Sequence, residues 1–145
     1  MQTTPKKINS VVRQFSRELG GTPRYVPVSP LTFCEHMRCF LNVWEAVKCG
    51  GGKAIYGWII WLDPKRMIDA EYHAVWETPD GKWYDITPTV DGEASIVFVS
   101  TGETPNSLTQ ALLDAIRQKE ADPTLPPVDG PKYLTPNRTK YLPRG

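Results

Sequence analysis

Two histidines and three cysteines occur among the 145 residues, and one histidine is spaced to meet a carboxylate. His73 opens the segment HAVWETPDGKWYDITP, which ends at Pro88 and carries Asp85. Within it, Thr78-Pro79-Asp80-Gly81 is a turn signal: Pro and Asp suit a type I turn, and Gly the left-handed position after it. With Thr78 closing against Lys82, residues opposed across the hairpin have numbers that sum to 160. Side chains alternate along a strand, so His73, Val75 and Glu77 share a face with Trp83, Asp85 and Thr87. Tyr72, Ala74, Trp76, Tyr84 and Ile86 fill the other, expected to be the core face. His73 and Asp85 become diagonal neighbours, about 7–8 Å apart at the backbone and within hydrogen-bonding reach of each other's side chains. A slip of one residue would send them to opposite faces. A carboxylate beside an imidazole orients the ring and favours its charged form, as a catalytic base beside a thiol requires.

The thiols are Cys34, Cys39 and Cys49. Cys49 falls where a helix ends, and there the dipole opposes a thiolate. Thr32 and Glu35 form a T-x-x-E capping box that would put Cys34 in a helix's first turn, among free N–H groups. Cys39 gains the same advantage only if the helix begins later, near Arg38. Capping alone leans towards Cys34.

Other chemistries fit less well. Cys34, His36, Cys39 and Cys49 could join His73 around zinc, but no C-x-x-C pair exists and the spacings match no common structural site. No metal or other cofactor is expected. Gly50-Gly51-Gly52 lies between helix and strand, the reverse of a phosphate-binding loop. Lys and Arg number 17 against 16 Asp and Glu, so no charge excess drives binding to nucleic acid or anionic membrane. Lys132, Arg138, Lys140 and Arg144 read as solvated charges.

These residues need elements to hold them, and the length suits one domain with a real core. Hydrophobic residues make up 40% and charged residues 23%, which excludes a wholly disordered chain. The longest uncharged apolar run, Ala54 to Leu62, has nine residues where a membrane helix needs about 20. No apolar stretch follows the N-terminal lysines, so no signal peptide is expected, and free thiols in the cytoplasm fit an odd cysteine count. The spacing predicts helices over Pro5–Leu19, from between Phe33 and Cys39 to Lys48, and over Asn106–Lys119. Strands are expected at Tyr25–Val28, with Pro27 demanding an edge, and at Ala54–Leu62, Asp69–Glu77, Lys82–Pro88 and Ile96–Val99. All five tryptophans lie between Trp44 and Trp83, which marks the centre of the fold. Residues 1–120 form one α+β domain of helices packed on a small antiparallel sheet, and the Pro-rich residues 121–145 an extended or mobile tail.

A thiol at a helix start, then a His strand and an Asp strand, resembles the transglutaminase-like branch of the papain-type fold. The wording is closer to a family of uncharacterised bacterial proteins with the pattern C-x-x-N-V, a glycine pair, G-W-x-I-W, H-A-V-W and D-I-T-P. Here these are Cys39 to Val43, Gly51-Gly52, Gly57 to Trp61, His73 to Trp76 and Asp85 to Pro88, a span covering about a third of the chain. Some members carry a cysteine-rich zinc motif at one end, which this tail lacks.

The resemblance selects Cys39 over Cys34, because it fixes Cys39 relative to both the glycine pair and His73. It implies Cys39 as nucleophile, His73 as base and then acid, and Asp85 as the group that orients the imidazole. The reaction class would be hydrolysis or transfer at an amide, isopeptide or thioester carbonyl of a protein or peptide. Asn42, Trp58 and Trp76 are the expected substrate-binding residues. Relatives of this fold also include inactive binders, so the alternative is a non-catalytic domain with Trp58 and Trp61 lining a recognition groove.

Overall fold

A computed structural model describes residues 2–36, 38–63, 67–101, 114–115, 117–119, 121–126 and 138–141. In chain order the elements are helix α1 (Ser10–Leu19), strand β1 (Thr22–Pro27), helix α2 (Cys39–Gly50), and strands β2 (Lys53–Leu62), β3 (Ile68–Glu77), β4 (Trp83–Tyr84), β5 (Ser95–Ser100) and β6 (Arg138–Tyr141). Local chemistry sets the limits of α1. Asn9 caps it by accepting from the Val12 N–H at 3.0 Å, and Gly20 ends it in the left-handed conformation, φ 101°. The helix therefore starts later than its apolar spacing suggested. Residues before Asn9 are instead tied to the sheet, with the Tyr25 hydroxyl donating to the Pro5 carbonyl at 2.6 Å.

The strands form one sheet in the order β1-β5-β2-β3-β4, with β6 also on β3, and every pair is antiparallel. β1 terminates the order, consistent with Pro23 and Pro27 at an edge. The hairpin has the expected register: Trp76 pairs with Tyr84 and Glu77 with Trp83. Its turn closes through Thr78 N–H to the Lys82 carbonyl at 2.8 Å, with Gly81 at φ +86°.

Beyond Tyr84 the expected long strand does not continue along β3. Asp85 peels away and forms a parallel bridge with Val28, its N–H reaching the Pro27 carbonyl at 2.9 Å. This joins the two ends of the strand order and curls the sheet almost into a barrel. Both faces are therefore buried, where one core face was expected. Outside, Cys39, Phe40, Val43 and Ala46 of α2 pack with Ala74, Ile86, Tyr72, Trp76 and Tyr84, while α1 covers Ile60, Ile68, Ala70, Val97 and Val99. Inside, Val26, Ile59, Trp61, Val75, Ile96 and Phe98 make a second core.

Most of the helix expected over Asn106–Lys119 lies outside the described residues; those at 114–115 and 117–119 are helical. Within the stretch read as a tail, Arg138–Tyr141 is a strand of the sheet, paired with Ile68–Glu71. No helix among the described residues is long and apolar enough to cross a membrane.

Candidate functional site

The N-terminus of α2 decides which thiol can meet the histidine. The capping box at Thr32 does not form. The Cys34 N–H turns back to the Leu31 carbonyl at 2.9 Å, and the Glu35 N–H is taken by the Asn42 side-chain oxygen at 3.1 Å. Arg38 is the N-cap, without a side-chain cap bond, so Cys39 is the first helical residue. A thiol there sits where the helix dipole and first-turn N–H groups favour negative charge. Cys49 is near the other end of the helix, about 15 Å away. None of the three cysteines is in a disulfide.

Among the described residues β6 pairs with β3 as far as Glu71 and β4 only from Trp76, and His73 falls between the two ladders. The ring is buried, 5% exposed, and its Nε2 is 2.9 Å from Asp85 Oδ1. A nitrogen facing a carboxylate carries the proton, which leaves Nδ1 as the basic atom of the neutral ring. The Cys39 side chain lies near enough to the same ring to act on its pKa. Cys39, His73 and Asp85 are thus brought together, from the first turn of α2, the stretch of β3 between those two ladders and the peeled end of the hairpin. Burial alone would pull the His73 pKa down. The negative charge of Asp85, then that of Cys39, and hydrogen bonds to both outweigh it and hold His73 well above 6.5. Cys34 is less favoured: burial pushes its thiol up from 9.0, the Leu31 backbone bond opposes that, and the Asp85 charge raises it again.

The residues expected to bind substrate stand differently. Asn42 is buried and braces the site: its Nδ2 donates to the Glu35 carbonyl at 2.8 Å and to Thr87 Oγ1 at 3.0 Å. Trp76 donates Nε1–H to the Gly51 carbonyl at 2.9 Å, at the far end of α2 from Cys39. Trp58 lies edge-on to Tyr72, ring centres 5.3 Å apart, and packs on the α1 core. Both tryptophans are half-buried. Trp58 and Trp61 belong to cores on opposite faces of β2, so they do not line a common groove. No group of three or more His, Cys, Asp or Glu among the described residues is arranged to hold a metal ion.

Thr87 went unassigned in the sequence. Its N–H donates to Asp85 Oδ1 at 3.2 Å, so that oxygen accepts from both Thr87 and His73. An Asp bonded to the N–H two residues on is a common local turn, and D-I-T is a sequence in which it can form. Each buried hydrogen bond of this kind contributes about 1 kcal/mol net, but leaving one group unmatched costs about 1–3 kcal/mol.

No protein-family model, curated protein or solved structure matches the chain.

Proposed function

We propose that the chain is a cysteine-dependent hydrolase or acyl transferase of the papain/transglutaminase-like kind, working in a reducing cytoplasm on a protein or peptide. One arrangement carries the reading: the buried His73 ring is bonded to Asp85, and Cys39, the first residue of a helix, lies near enough to that ring to help raise its pKa. Cys39 Sγ would attack an amide or thioester carbonyl as His73 takes the thiol proton. His73 would return that proton to the departing amine or thiol, leaving an acyl group on Cys39. Water or an amine, deprotonated by the same imidazole, would then release the acyl group and restore the thiol. First-turn N–H groups of α2 are the natural donors to the oxyanion. Asp85 keeps the ring in the tautomer that this cycle needs.

The test is the alkylation rate of each cysteine by iodoacetamide, mapped by mass spectrometry across about pH 5–9, around the free thiol value near 8.5. The wild type is run beside His73→Ala. Cys39 is expected to react about tenfold faster than Cys34 and Cys49 near pH 6, and to lose that lead in the variant. If all three thiols react slowly and ignore His73, the catalytic reading gives way to that of a binding domain.

A further inference from the structure

Six polar or charged side chains are buried among the described residues: Ser16, Asn42, Asp69, His73, Asp85 and Thr87. Four of them form one continuous hydrogen-bonded chain. It runs from the Glu35 backbone through Asn42 to Thr87 Oγ1, and from the Thr87 N–H through Asp85 Oδ1 to His73. Asn42 belongs to the helix that begins at Cys39, whereas Thr87 belongs to the segment that left the sheet at Tyr84. The chain therefore links the element bearing the thiol to the segment bearing the acid.

We infer that Asn42 and Thr87 are positioning residues, which fix Asp85, and through it the His73 ring, relative to the first turn of α2. Asp85 needs such a brace. Its strand has lost its ladder to β3, and its own backbone bonds go to Pro27 and Ser29, on the far side of the barrel seam. Those bonds set its position along β1, not its distance from α2. The bond between Asn42 and Thr87 supplies that second constraint. The Asn42 amide suits this role, because both N–H groups are used and its oxygen takes the Glu35 N–H. It thereby also holds the loop leading into Cys39. An apolar pair at 42 and 87 could fill the same volume but could not define a direction for the Asp85 side chain.

The inference rests on the thiol–imidazole reading above, and its test separates the two. Thr87→Val removes the hydroxyl that accepts from Asn42 and keeps both shape and backbone N–H; Thr87→Ser keeps the hydroxyl. Two readouts are taken: the pH profile of Cys39 alkylation and the His73 ring titration by NMR, with His73→Ala run alongside. Thr87→Val is expected to slow Cys39 alkylation near pH 6 about fivefold and to move the His73 titration down, towards its ordinary value. Thr87→Ser should restore both to within about twofold of wild type. If Thr87→Val fails to melt cooperatively, Thr87→Ala is read in the same way. An unchanged His73 titration and alkylation profile in a folded Thr87 variant overturns the positioning role while leaving the catalytic reading intact. Cys39 reactivity that ignores His73 in the wild type overturns the catalytic reading. In that case a titration shift restricted to Thr87→Val still establishes the brace.

Discussion

His73 and Asp85 meet side chain to side chain at 2.9 Å, although Asp85 takes its backbone partners from Pro27 and Ser29 and not from β3. The pair is thus not a by-product of hairpin pairing. The turn at Thr78–Lys82 sets the register, and the register puts both residues on one side. The seam between the hairpin and β1 then fixes where Asp85 stands. A carboxylate held by two segments is a better anchor for an imidazole than one on a fraying strand end.

Protonation of His73 should show in stability. Its pKa is raised in the folded state, so folding favours the protonated ring. The resulting stabilisation is fully present below the unfolded value of about 6.5 and is lost as pH rises through the folded value. Melting temperatures measured from about pH 6 upwards should therefore fall more steeply for wild type than for His73→Ala. Equal slopes for the two proteins would show that folding does not raise the His73 pKa.

Cys34 should be the sluggish thiol. Burial pushes its pKa up, and the charge of Asp85 adds to this against the single Leu31 bond. Near pH 8 its alkylation should be at least about threefold slower than that of an unstructured cysteine peptide, since only the thiolate reacts. A Cys34 faster than the peptide would make it, not Cys39, the thiol that His73 serves.

Gly57 tests how tightly β2 holds its neighbours. It pairs with His73, and a Cβ there would overlap the Val99 carbonyl oxygen and stand 2.9 Å from the Phe98 ring. Backbone oxygen in the middle of a sheet cannot swing away. Gly57→Ala should cost about 3 kcal/mol in urea denaturation at unchanged m-value, and should slow Cys39 alkylation as well. A loss below about 1 kcal/mol would mean that the sheet opens easily beside the histidine.

Much of this site was legible because short-range rules wrote it. The turn residues gave the register of His73 and Asp85, and Pro27 placed β1 at an edge. The start of α2 was not legible. Thr32 and Glu35 satisfy a capping pattern, but the Asn42 side chain claims the Glu35 N–H from one turn into the helix. A partner seven residues away overrode a local signal. The packing of Trp58 on the α1 core and the bond from Trp76 to Gly51 were not legible either. Large aromatic rings near a site look alike in sequence, whether they line a cleft or fill a core. The second core and the peeling of Asp85 both follow from the closure of the sheet, which is a property of all the strands together. Strand β6 had no apolar alternation to betray it, and backbone pairing with β3 leaves no side-chain pattern to read.

The far end of the β2–β3 hairpin is bounded on both sides. Leu62 and Ile68 are ladder partners, Thr3 bridges Leu62 from one side, and Tyr141 pairs with Ile68 from the other. Four strands laid side by side span about 14 Å, so residues 3 and 141 stand within a short optical ruler of each other. That row crosses β3 five positions from His73, about 17 Å along the strand. Dyes attached at 3 and 141 would report on the integrity of the whole sheet by energy transfer, while leaving the thiol and its imidazole untouched.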